Sequence, residues 1–385
     1  MHTLAQSNKL DLVYICDWLP PDFGAVGQYG LLFAREMAAR GQHIVLIGLS
    51  SRAASEETHA IGSGSLTIRK LQMPSYDKTR RGQRLLWTIR ANTQLLRAAW
   101  PAMRRASSVL FTGSPPLFLH WIVPANLLLR RKLVYRITDF HPECAIAERG
   151  RPSVLLRLIY TMTIFWRRRV HEFEVLGNDQ AERLRQIGIP AYRIRLKRDP
   201  SPIAIAPDTP PLARPAEFEG KHLLLYSGNW GMAHDAQTFL DGYAEHHRRG
   251  DGRVVLWLNA VGAKADGVET ALREAGLPFF RSRPAPLEQL GRLLVTADSH
   301  LITLSDAFVG YVLPSKVYGC IASRKPIVFI GSERSDVHHM CVESSNPYYR
   351  MAMGDAAELA RVLDRLADDR SAACAGNSAG TAGPE

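Results

Sequence analysis

The feature that most constrains the fold is a proline-rich stretch, PSPIAIAPDTPPLARP at residues 200–215, that separates two similar halves of the chain. In both halves, short apolar runs typical of strands alternate with helix-length segments. Strands that alternate with helices predict a sheet covered by helices, and 385 residues exceed what one core usually organises. We therefore predict an α/β chain with doubly wound domains at residues 1–199 and 217–370, a linker at 200–216 and a disordered tail at 371–385.

The first half begins with one β-α-β unit. Residues 12–16 are predicted as a strand, 20–28 as a glycine-containing loop, 29–40 as a helix and 44–47 as a second strand. Further strands are predicted at residues 66–71, 109–112, 133–137, 174–176, 223–227, 254–260, 301–304 and 326–330. Ligands of such sheets bind beyond the carboxyl ends of the strands, so we expect the functional site there.

The net charge of +11 is concentrated in the first half of the chain. Residues 1–200 hold 30 Lys and Arg against 15 Asp and Glu, whereas residues 201–385 hold 18 against 22. Arginines interleave with large apolar residues at 78–105 and 155–169, a pattern typical of helices on an anionic membrane. Helices packed inside a domain with solvated arginines are the alternative. No RNP-like, KH-like or zinc-finger spacing is present, so we expect no nucleic-acid partner.

Three features bear on location. The five cysteines are scattered without a CxxC pair, which disfavours a disulfide framework and a zinc site. Residues 106–129 contain no Asp, Glu, Lys or Arg over a membrane-spanning length, but the turn at residues 113–116 (GSPP) divides them into a strand, a loop and a helix. The first residues show no signal-peptide pattern. We expect a cytoplasmic protein, peripheral on the inner face of the cell membrane.

Two glycine-containing loops are candidates for binding phosphate. Gly24 and Gly27 lie in the first loop, and Gly228, Asn229 and Gly231 follow the first strand of the second half. Backbone N–H groups in such loops, and the positive end of the next helix, can contact a phosphate. A plain tight turn is the alternative for the first loop.

Pro314, Ser315 and Lys316 stand between a strand-like run and a predicted helix at 317–322. An ammonium group, a hydroxyl and free backbone N–H groups at a helix start form a suitable cradle for two phosphates. A solvated lysine after a proline turn is the alternative.

Four stretches carry a family resemblance: PPDFGAVGQ at 20–28, SPP at 114–116 with DFHPE at 139–143, YSGN at 226–229, and FVGYVLPSKVYGCIASRKP at 308–326. They resemble the family 4 type of bacterial glycosyltransferases of cell-envelope and exopolysaccharide synthesis. The resemblance implies the GT-B architecture, in which two Rossmann-like doubly wound domains face each other across a cleft. It also implies that the last stretch contacts a nucleotide sugar and that the anomeric configuration is retained.

The resemblance extends to individual positions. In many members two glutamates spaced by seven residues frame the last stretch, and the second contacts the ribose. Here Gly319 stands at the second position, and the first glutamate has no equivalent, although Asp306 is nearby. The chain thus departs from the family pattern at the ribose contact. The candidate donor-binding residues are Gly24, Gly27, Gly228, Asn229, Gly231, Asp306, Gly310, Ser315, Lys316 and Gly319. The candidate acceptor-binding residues are Gln28, Ser114 and Pro115.

Asp139 and His141 are the candidate catalytic residues. Asp139 follows the strand at 133–137, so it should lie at the carboxyl edge of the first sheet. A carboxylate there can accept the proton of the acceptor hydroxyl or stabilise positive charge at the anomeric carbon. His141 is the competing base, because an ordinary histidine pKa near 6.5 suits proton transfer. A turn-capping role is the alternative for both residues, since they precede Pro142.

These features predict a transferase that moves a sugar from a nucleotide-diphosphate donor, of UDP or GDP type, to a hydroxyl of a polyprenyl-diphosphate-linked or other saccharide. Lys316 and backbone amides would stabilise the departing diphosphate. No DxD triplet, GxxxxGK[ST], HExxH or GxSxG motif is present, so we expect neither metal nor cofactor. Two alternatives remain: a sugar-nucleotide epimerase of the same architecture, and a non-enzymatic basic scaffold that binds anionic lipid or nucleic acid.

Overall fold

The chain forms two compact units. The computed structural model describes residues 10–22, 25–74, 81–199, 201, 203–215, 218–250, 252–262 and 264–379. Unit 1 comprises residues 1–199 together with 310–313, and unit 2 comprises residues 200–309 together with 314–385. Residues 310–313, expected in the C-terminal domain, therefore pack with the N-terminal unit.

Unit 1 contains an eight-stranded sheet. Its strands are β1 (Leu10–Trp18), β2 (His43–Ser50), β3 (Ser55–Ile61), β4 (Gly64–Gln72), β5 (Ala106–Thr112), β6 (Lys132–Ile137), β7 (Glu172–Val175) and β8 (Ile194–Leu196). Its helices are α1 (Ala25–Ala39), α2 (Arg81–Met103), α3 (Leu119–Leu129), α4 (Glu143–Arg149), α5 (Val154–Arg167) and α6 (Asn178–Gln186). The strand order is β3-β4-β2-β1-β5-β6-β7-β8, and every pair is parallel except β3 with β4.

The central strand β1 contributes side chains to two cores. Tyr14 and Cys16 pack with Ala34 of α1 on one face of the sheet. Ile15 packs with Leu95 of α2 on the other face. Because successive strand residues point to opposite faces, a continuous apolar strand is stable only where helices cover both faces. The run LVYIC therefore determines that β1 is buried on both sides.

Unit 2 contains a six-stranded sheet in which all pairs are parallel. Its strands are β9 (His222–Asn229), β10 (Val254–Val261), β11 (Phe279–Arg281), β12 (Ser299–Thr303), β13 (Ile327–Ile330) and β14 (Tyr348–Met351), in the order β11-β10-β9-β12-β13-β14. Its helices are α7 (Gln237–Arg248), α8 (Ala265–Glu274), α9 (Leu287–Thr296), α10 (Lys316–Ala322), α11 (Asp336–Glu343) and α12 (Ala356–Ala379). Leu224 of β9 packs with Phe239 of α7, and Leu225 packs with Leu293 of α9, so both faces are again covered.

The first helix begins earlier than the sequence suggests. α1 starts at Ala25 rather than at residue 29, so Gly27 and Gln28 lie in its first turn and not in a loop. A Cβ atom on Gly27 would lie 1.8 Å from the backbone oxygen of Trp18. The glycine thus permits the helix to start directly against the end of β1.

Two segments expected to be irregular belong to unit 2. Ile203, Ile205 and Leu212 of the predicted linker pack against its core. α12 continues to Ala379, so residues 371–379 are helical where a disordered tail was expected. Residues 380–385 lie outside the described part of the chain.

The uncharged stretch at residues 106–129 forms the predicted strand, turn and helix, namely β5 and α3 with the turn between them. Among the described residues, no helix combines the length and apolar character that crossing a membrane requires.

Candidate functional site

Along the parallel strands of each sheet, the chain order of neighbouring strands reverses at one point. In unit 2 the change falls between β9 and β12, and in unit 1 it falls between β1 and β5. Open parallel sheets bind ligands in the crevice beyond the carboxyl ends of the two strands at such a point. Each unit therefore has one candidate site, and each is described separately.

In unit 2, Lys316 at the start of α10 lies against β9. Its Nζ atom is 3.3 Å from the centre of the Tyr226 ring. The residue as a whole is half-buried, but Nζ itself is buried and has no hydrogen-bond partner among the described residues. Burial lowers the pKa of the Lys316 ammonium group well below its ordinary range. Such an amine is suited to bind an anion, which supplies both opposite charge and hydrogen-bond acceptors.

The Tyr226 ring beside this amine is held in place by stacking and by a hydrogen bond. The ring stacks on Trp230 with 3.8 Å between centroids. The Tyr226 hydroxyl donates a hydrogen bond to the backbone oxygen of Asn229 at 3.2 Å. The aromatic face attracts the ammonium group and partly offsets the cost of burying it.

His234 lies edge-on to the same ring, with 6.2 Å between centroids. It is within 2.5 Å of the backbone oxygen of Thr303 through Nδ1, which must therefore donate. Burial first, and then the charge of Lys316, lower the pKa of His234 to about 3. The histidine is therefore neutral at physiological pH and does not compete with Lys316 for an anion.

Glycines leave room at the carboxyl ends of β9 and β10. Gly228 has a φ of +119°, and a Cβ atom there would lie 3.9 Å from Lys316 Cε. Gly262, which the sequence analysis did not select, has a φ of +116°, and a Cβ there would lie 2.1 Å from Asn229 Oδ1. The Asn229 side chain thus lies over Gly262, and its Nδ2 is 3.2 Å from where a Cβ on Gly231 would be. The predicted residues Gly228, Asn229 and Lys316 therefore lie in one neighbourhood.

Two other predicted donor residues lie elsewhere. Gly319 points toward α9, where a Cβ would be 3.0 Å from Leu294 Cδ1, so it permits close helix packing. Gly310 packs with unit 1, where a Cβ would be 2.9 Å from the backbone oxygen of Asp179. Sequence spacing did not distinguish these packing glycines from glycines beside Lys316.

Asp306 and Ser315 are exposed. The Asp306 N–H donates to Met353 Sδ at 3.1 Å in a short 3-10 turn. Ser315 precedes α10 directly, but its hydroxyl does not cap the helix.

In unit 1, Asp17 near the end of β1 is joined to Ser114 after β5. Ser114 Oγ donates to Asp17 Oδ2 at 2.6 Å. Asp139 follows β6, the next strand in the sheet, as the sequence predicted. Burial first, and then the nearby Asp17 carboxylate, raise the pKa of Asp139 to about 6. The sequence analysis selected Ser114 and Asp139 but not Asp17.

The turn that carries Asp139 is held by a buried arginine. Arg167 of α5 forms a bidentate ion pair with Glu143, and its Nη2 donates to the backbone oxygen of His141 at 3.1 Å. The guanidinium group also lies 4.9 Å from the centre of the Phe140 ring. Arg167 thus holds the turn that contains both candidate catalytic residues. It was not singled out because it stands in an arginine-rich run without a distinguishing motif.

A short segment of the C-terminal half also contacts this turn within unit 1. Asp139 forms an antiparallel bridge with Val312, and the Phe140 N–H donates to the Tyr311 backbone oxygen at 2.9 Å. The backbone of Asp139 is therefore fixed from two directions.

The remaining predicted positions in unit 1 have mixed placements. Pro115 is buried and follows Ser114 through a cis peptide bond. Gln28 is half-buried in α1, Gly27 contacts the β1 backbone, and Gly24 lies outside the described residues. Across the described chain, no group of three or more His, Cys, Asp or Glu side chains is arranged to hold a metal ion.

Comparison with known proteins gives the class of the molecule. No family model matches the chain. The probable glycosyltransferase WbjE of Pseudomonas aeruginosa is 21% identical over 274 residues, which are 69% of this chain and 67% of that protein. WaaG, a glycosyltransferase involved in lipopolysaccharide biosynthesis, aligns with a TM-score of 0.60 at 16% identity, over 93% of this chain and 90% of its own. Anabaena Alr3699/HepE in complex with UDP-glucose aligns with a TM-score of 0.61 at 11% identity, over 94% and 91%.

The two parallel-sheet units define the GT-B fold, which confirms the predicted fold class. The chain is a glycosyltransferase of this fold, and the family 4 type is consistent with these similarities.

Proposed function

We propose that the protein transfers a sugar from a nucleotide-diphosphate donor, of UDP or GDP type, to a hydroxyl of a lipid-linked saccharide at an anionic membrane surface. The reaction retains anomeric configuration, needs no metal and serves envelope polysaccharide synthesis. The relatives support this proposal, since one is solved with UDP-glucose and another is involved in lipopolysaccharide biosynthesis.

The buried Nζ atom of Lys316, which has no hydrogen-bond partner in the described part of the chain, is the observation that carries the proposal. Its position at the switch point of unit 2 is where a doubly wound sheet binds the phosphates of a nucleotide. A diphosphate bound there accepts hydrogen bonds from the amine and restores its positive charge. The same charge stabilises the diphosphate as it departs, when negative charge develops on the bridging oxygen.

The acceptor binds to unit 1 beside Ser114 and Asp139. Asp139 is the preferred base, because its pKa of about 6 leaves it ionised at neutral pH and still basic enough to accept a proton. His141 is the second candidate, since the Arg167 contact at its backbone oxygen holds it in the same turn.

The membrane contact consists of α2, α3 and α5, whose outer sides form a basic apolar face. None of the three helices contains Asp or Glu, and α3 packs against both of the others. The exposed apolar residues of this face are Leu85, Leu86, Ile89, Leu127, Leu128, Val154, Leu155, Leu158, Met162 and Phe165. The exposed arginines of the same helices and of the turns that follow them are Arg90, Arg97, Arg104, Arg105, Arg130, Arg157, Arg168 and Arg169. Apolar insertion together with attraction to anionic lipid, about 1 kcal/mol per basic residue, suits a surface that docks on a membrane.

A donor screen tests the proposal. The purified protein is melted with UDP-, GDP-, dTDP- and ADP-sugars, because a ligand that binds only the folded state raises the melting temperature. Lys316→Met removes the amine and keeps the side-chain length, and we expect it to abolish the shift. Lys221→Met is the matched control. Lys221 directly precedes β9, so it lies at the amino end of this strand, whereas the candidate site lies at its carboxyl end.

Product analysis with the stabilising donor completes the test. Transfer to an added saccharide acceptor supports the proposal, whereas conversion of the donor sugar without acceptor would indicate an epimerase. Absence of a shift with every donor, with Lys316→Met also silent, would contradict the donor site.

A further inference from the structure

Asp17 is the strongest feature of unit 1 that the proposed function does not use. One of its oxygens, Oδ2, accepts the hydrogen bond from Ser114 Oγ at 2.6 Å. The other oxygen, Oδ1, is buried and has no hydrogen-bond partner among the described residues. A buried carboxylate oxygen without a donor is costly, so it indicates a proton or a ligand that completes the site.

The sheet explains why Asp17 and Asp139 lie together. β1, β5 and β6 are adjacent and parallel, so their carboxyl ends meet at one edge. The chain after β5 passes close to the Asp139 turn, because a Cβ on Gly113 would lie only 3.0 Å from the Asp139 backbone oxygen. Gly113 thus permits the Asp139 turn to lie over the end of β5, next to the Asp17–Ser114 pair.

The two carboxyl groups are electrostatically coupled. Burial raises the pKa of Asp17 to about 6, against the opposing effects of hydrogen bonds from the Ser114 side chain and from the Asp17 and Trp18 backbone. The Asp17 carboxylate in turn contributes to the raised pKa of Asp139. Acids that interact strongly titrate as a pair, so we expect the titration of each carboxyl to depend on the charge of the other.

We propose that Asp17 is a positioning residue that acts through Asp139: hydrogen-bonded to Ser114 at the shared strand ends, it assists Asp139 in accepting the proton of the acceptor hydroxyl. The inference rests on the proposed function in that Asp139 is taken as the base. Asp17 Oδ1 is the atom that shares the proton after its transfer, which gives the buried oxygen its missing partner.

The acceptor O–H bond breaks, and its proton moves to the Asp139–Asp17 pair. The acceptor oxygen bonds to the anomeric carbon on the face from which the diphosphate departs, so that configuration is retained. The bond from that carbon to the donor phosphate breaks with its electron pair on the diphosphate. The pair releases its proton to water after the product leaves.

Other ionisable groups near Asp139 must be considered in any pH dependence. Those in the elements packed against it are Cys16, Tyr135, His141, Glu143, Cys144, Arg167 and Tyr311. Burial raises the pKa values of Cys16, Tyr135 and Cys144 far above neutrality, so these groups do not titrate near pH 6. His141 is the second candidate base in the same turn, and His141→Gln is therefore included as a variant.

The experiment follows the titration of the two carboxyls directly and the activity in parallel. Carbon-13 spectra of protein labelled at aspartate carboxyls are recorded between pH 4 and 8 for wild type and for Asp17→Asn, Asp139→Asn, His141→Gln and Asp11→Asn. Asp11 lies in β1 at its amino end, where it accepts a hydrogen bond from the His43 N–H, and serves as the matched control.

We expect two aspartate resonances that titrate near pH 6 in wild type, of which Asp139→Asn removes one. In Asp17→Asn the Asp139 resonance should titrate at lower pH than in wild type, because the negative charge of Asp17 is gone. The acid limb of kcat/KM should move to lower pH by the same amount, with kcat reduced at neutral pH and KM changed less. Asp17→Glu should restore the wild-type limb, and Asp11→Asn should change neither readout.

An Asp139 resonance that titrates unchanged in Asp17→Asn would overturn the inference, as would an acid limb that moves only in His141→Gln. The spectra need no substrate, so they decide the coupling even if the protein transfers no sugar. If Asp17→Asn fails to fold, Ser114→Ala replaces it. Loss of the hydrogen bond from Ser114 to Asp17 should raise the pKa of Asp17, and an unchanged pKa would count against the proposed Asp139–Asp17 pair.

Discussion

Lys316 and Arg167 are buried basic side chains with opposite arrangements. Arg167 is paired with Glu143 through two hydrogen bonds. Lys316 Nζ lies over an aromatic face and has no hydrogen-bond acceptor among the described residues. A paired buried charge serves the fold, because removing either partner leaves the other uncompensated. An unpaired buried amine costs stability, so its retention indicates a ligand.

The depressed pKa of Lys316 predicts that donor binding takes up a proton. The free amine is favoured by burial, and a diphosphate favours the ammonium form, so binding raises its pKa. Affinity should then fall as pH rises between the free and bound pKa values, by up to about tenfold per pH unit. Calorimetry in two buffers of different ionisation enthalpy measures the uptake. Lys316→Met should bind more weakly and without uptake; equal uptake in this variant would refute the assignment.

Arg167→Met should destabilise unit 1 by about 3–5 kcal/mol, because Glu143 is left buried without its partner. The matched control is Arg185→Met, which breaks an exposed pair with Glu182 and should cost less than about 1 kcal/mol. Urea unfolding followed by circular dichroism measures both. Combining Arg167→Met with Glu143→Gln should recover part of the loss, and similar effects for the two single variants would contradict a structural role of the buried pair.

At the level of elements, glycine determines how closely helices approach the sheets. Gly27 allows α1 to begin against the β1 backbone, and Gly319 allows α10 to pack on α9. Both positions resembled ligand-binding glycines in the sequence, since a missing side chain permits close approach of either a phosphate or another backbone.

Gly27→Ala and Gly82→Ala should therefore have opposite effects on stability. A Cβ at Gly27 would lie 1.8 Å from the Trp18 oxygen, so α1 must move away from β1. At Gly82 in α2 no atom lies within 4 Å of the new Cβ, and alanine should stabilise the helix by about 0.5–1 kcal/mol. Thermal unfolding measures both changes; two stabilised variants would contradict the close packing of α1.

At the scale of the whole molecule, charge is divided between the two halves. The first 200 residues carry all of the net positive charge, and the basic apolar face lies within that half. If the protein docks on a membrane as proposed, we therefore expect the attraction to anionic lipid to concentrate on unit 1. Surface charges are screened over about 10 Å at 0.1 M salt, so this attraction depends on ionic strength.

Vesicle binding should require both the exposed apolar residues and the exposed arginines of the basic apolar face. We expect sedimentation with vesicles that contain phosphatidylglycerol, little with pure phosphatidylcholine, and weaker binding as salt rises. Leu155→Ser with Leu158→Ser on α5 should reduce binding further, because these side chains are 66% and 57% exposed and available to insert. Leu287→Ser, an exposed leucine of unit 2, is the control. Equal binding to neutral vesicles, or no effect of the α5 variant, would contradict membrane docking.

The sequence alone determined the α/β class, the two doubly wound halves and the placement of Asp139 and Lys316 at strand ends and loop ends. These follow from local patterns, because apolar runs, helix-length segments and turn residues act over a few positions. The resemblance indicated the transferase class in the same way, from short motifs.

Only the tertiary structure decided which residues meet. Asp17 and Asp139 are more than a hundred residues apart in sequence, but the parallel order of β1, β5 and β6 brings both to the same edge of the sheet. Arg167 reaches the Asp139 turn from α5. The roles of Gly27, Gly310 and Gly319 depended on which backbone or side chain lies beside each Cα. Burial, which shifts the pKa values of Asp17, Asp139 and Lys316, is likewise a property of the assembled sheet and helices and not of any stretch of sequence.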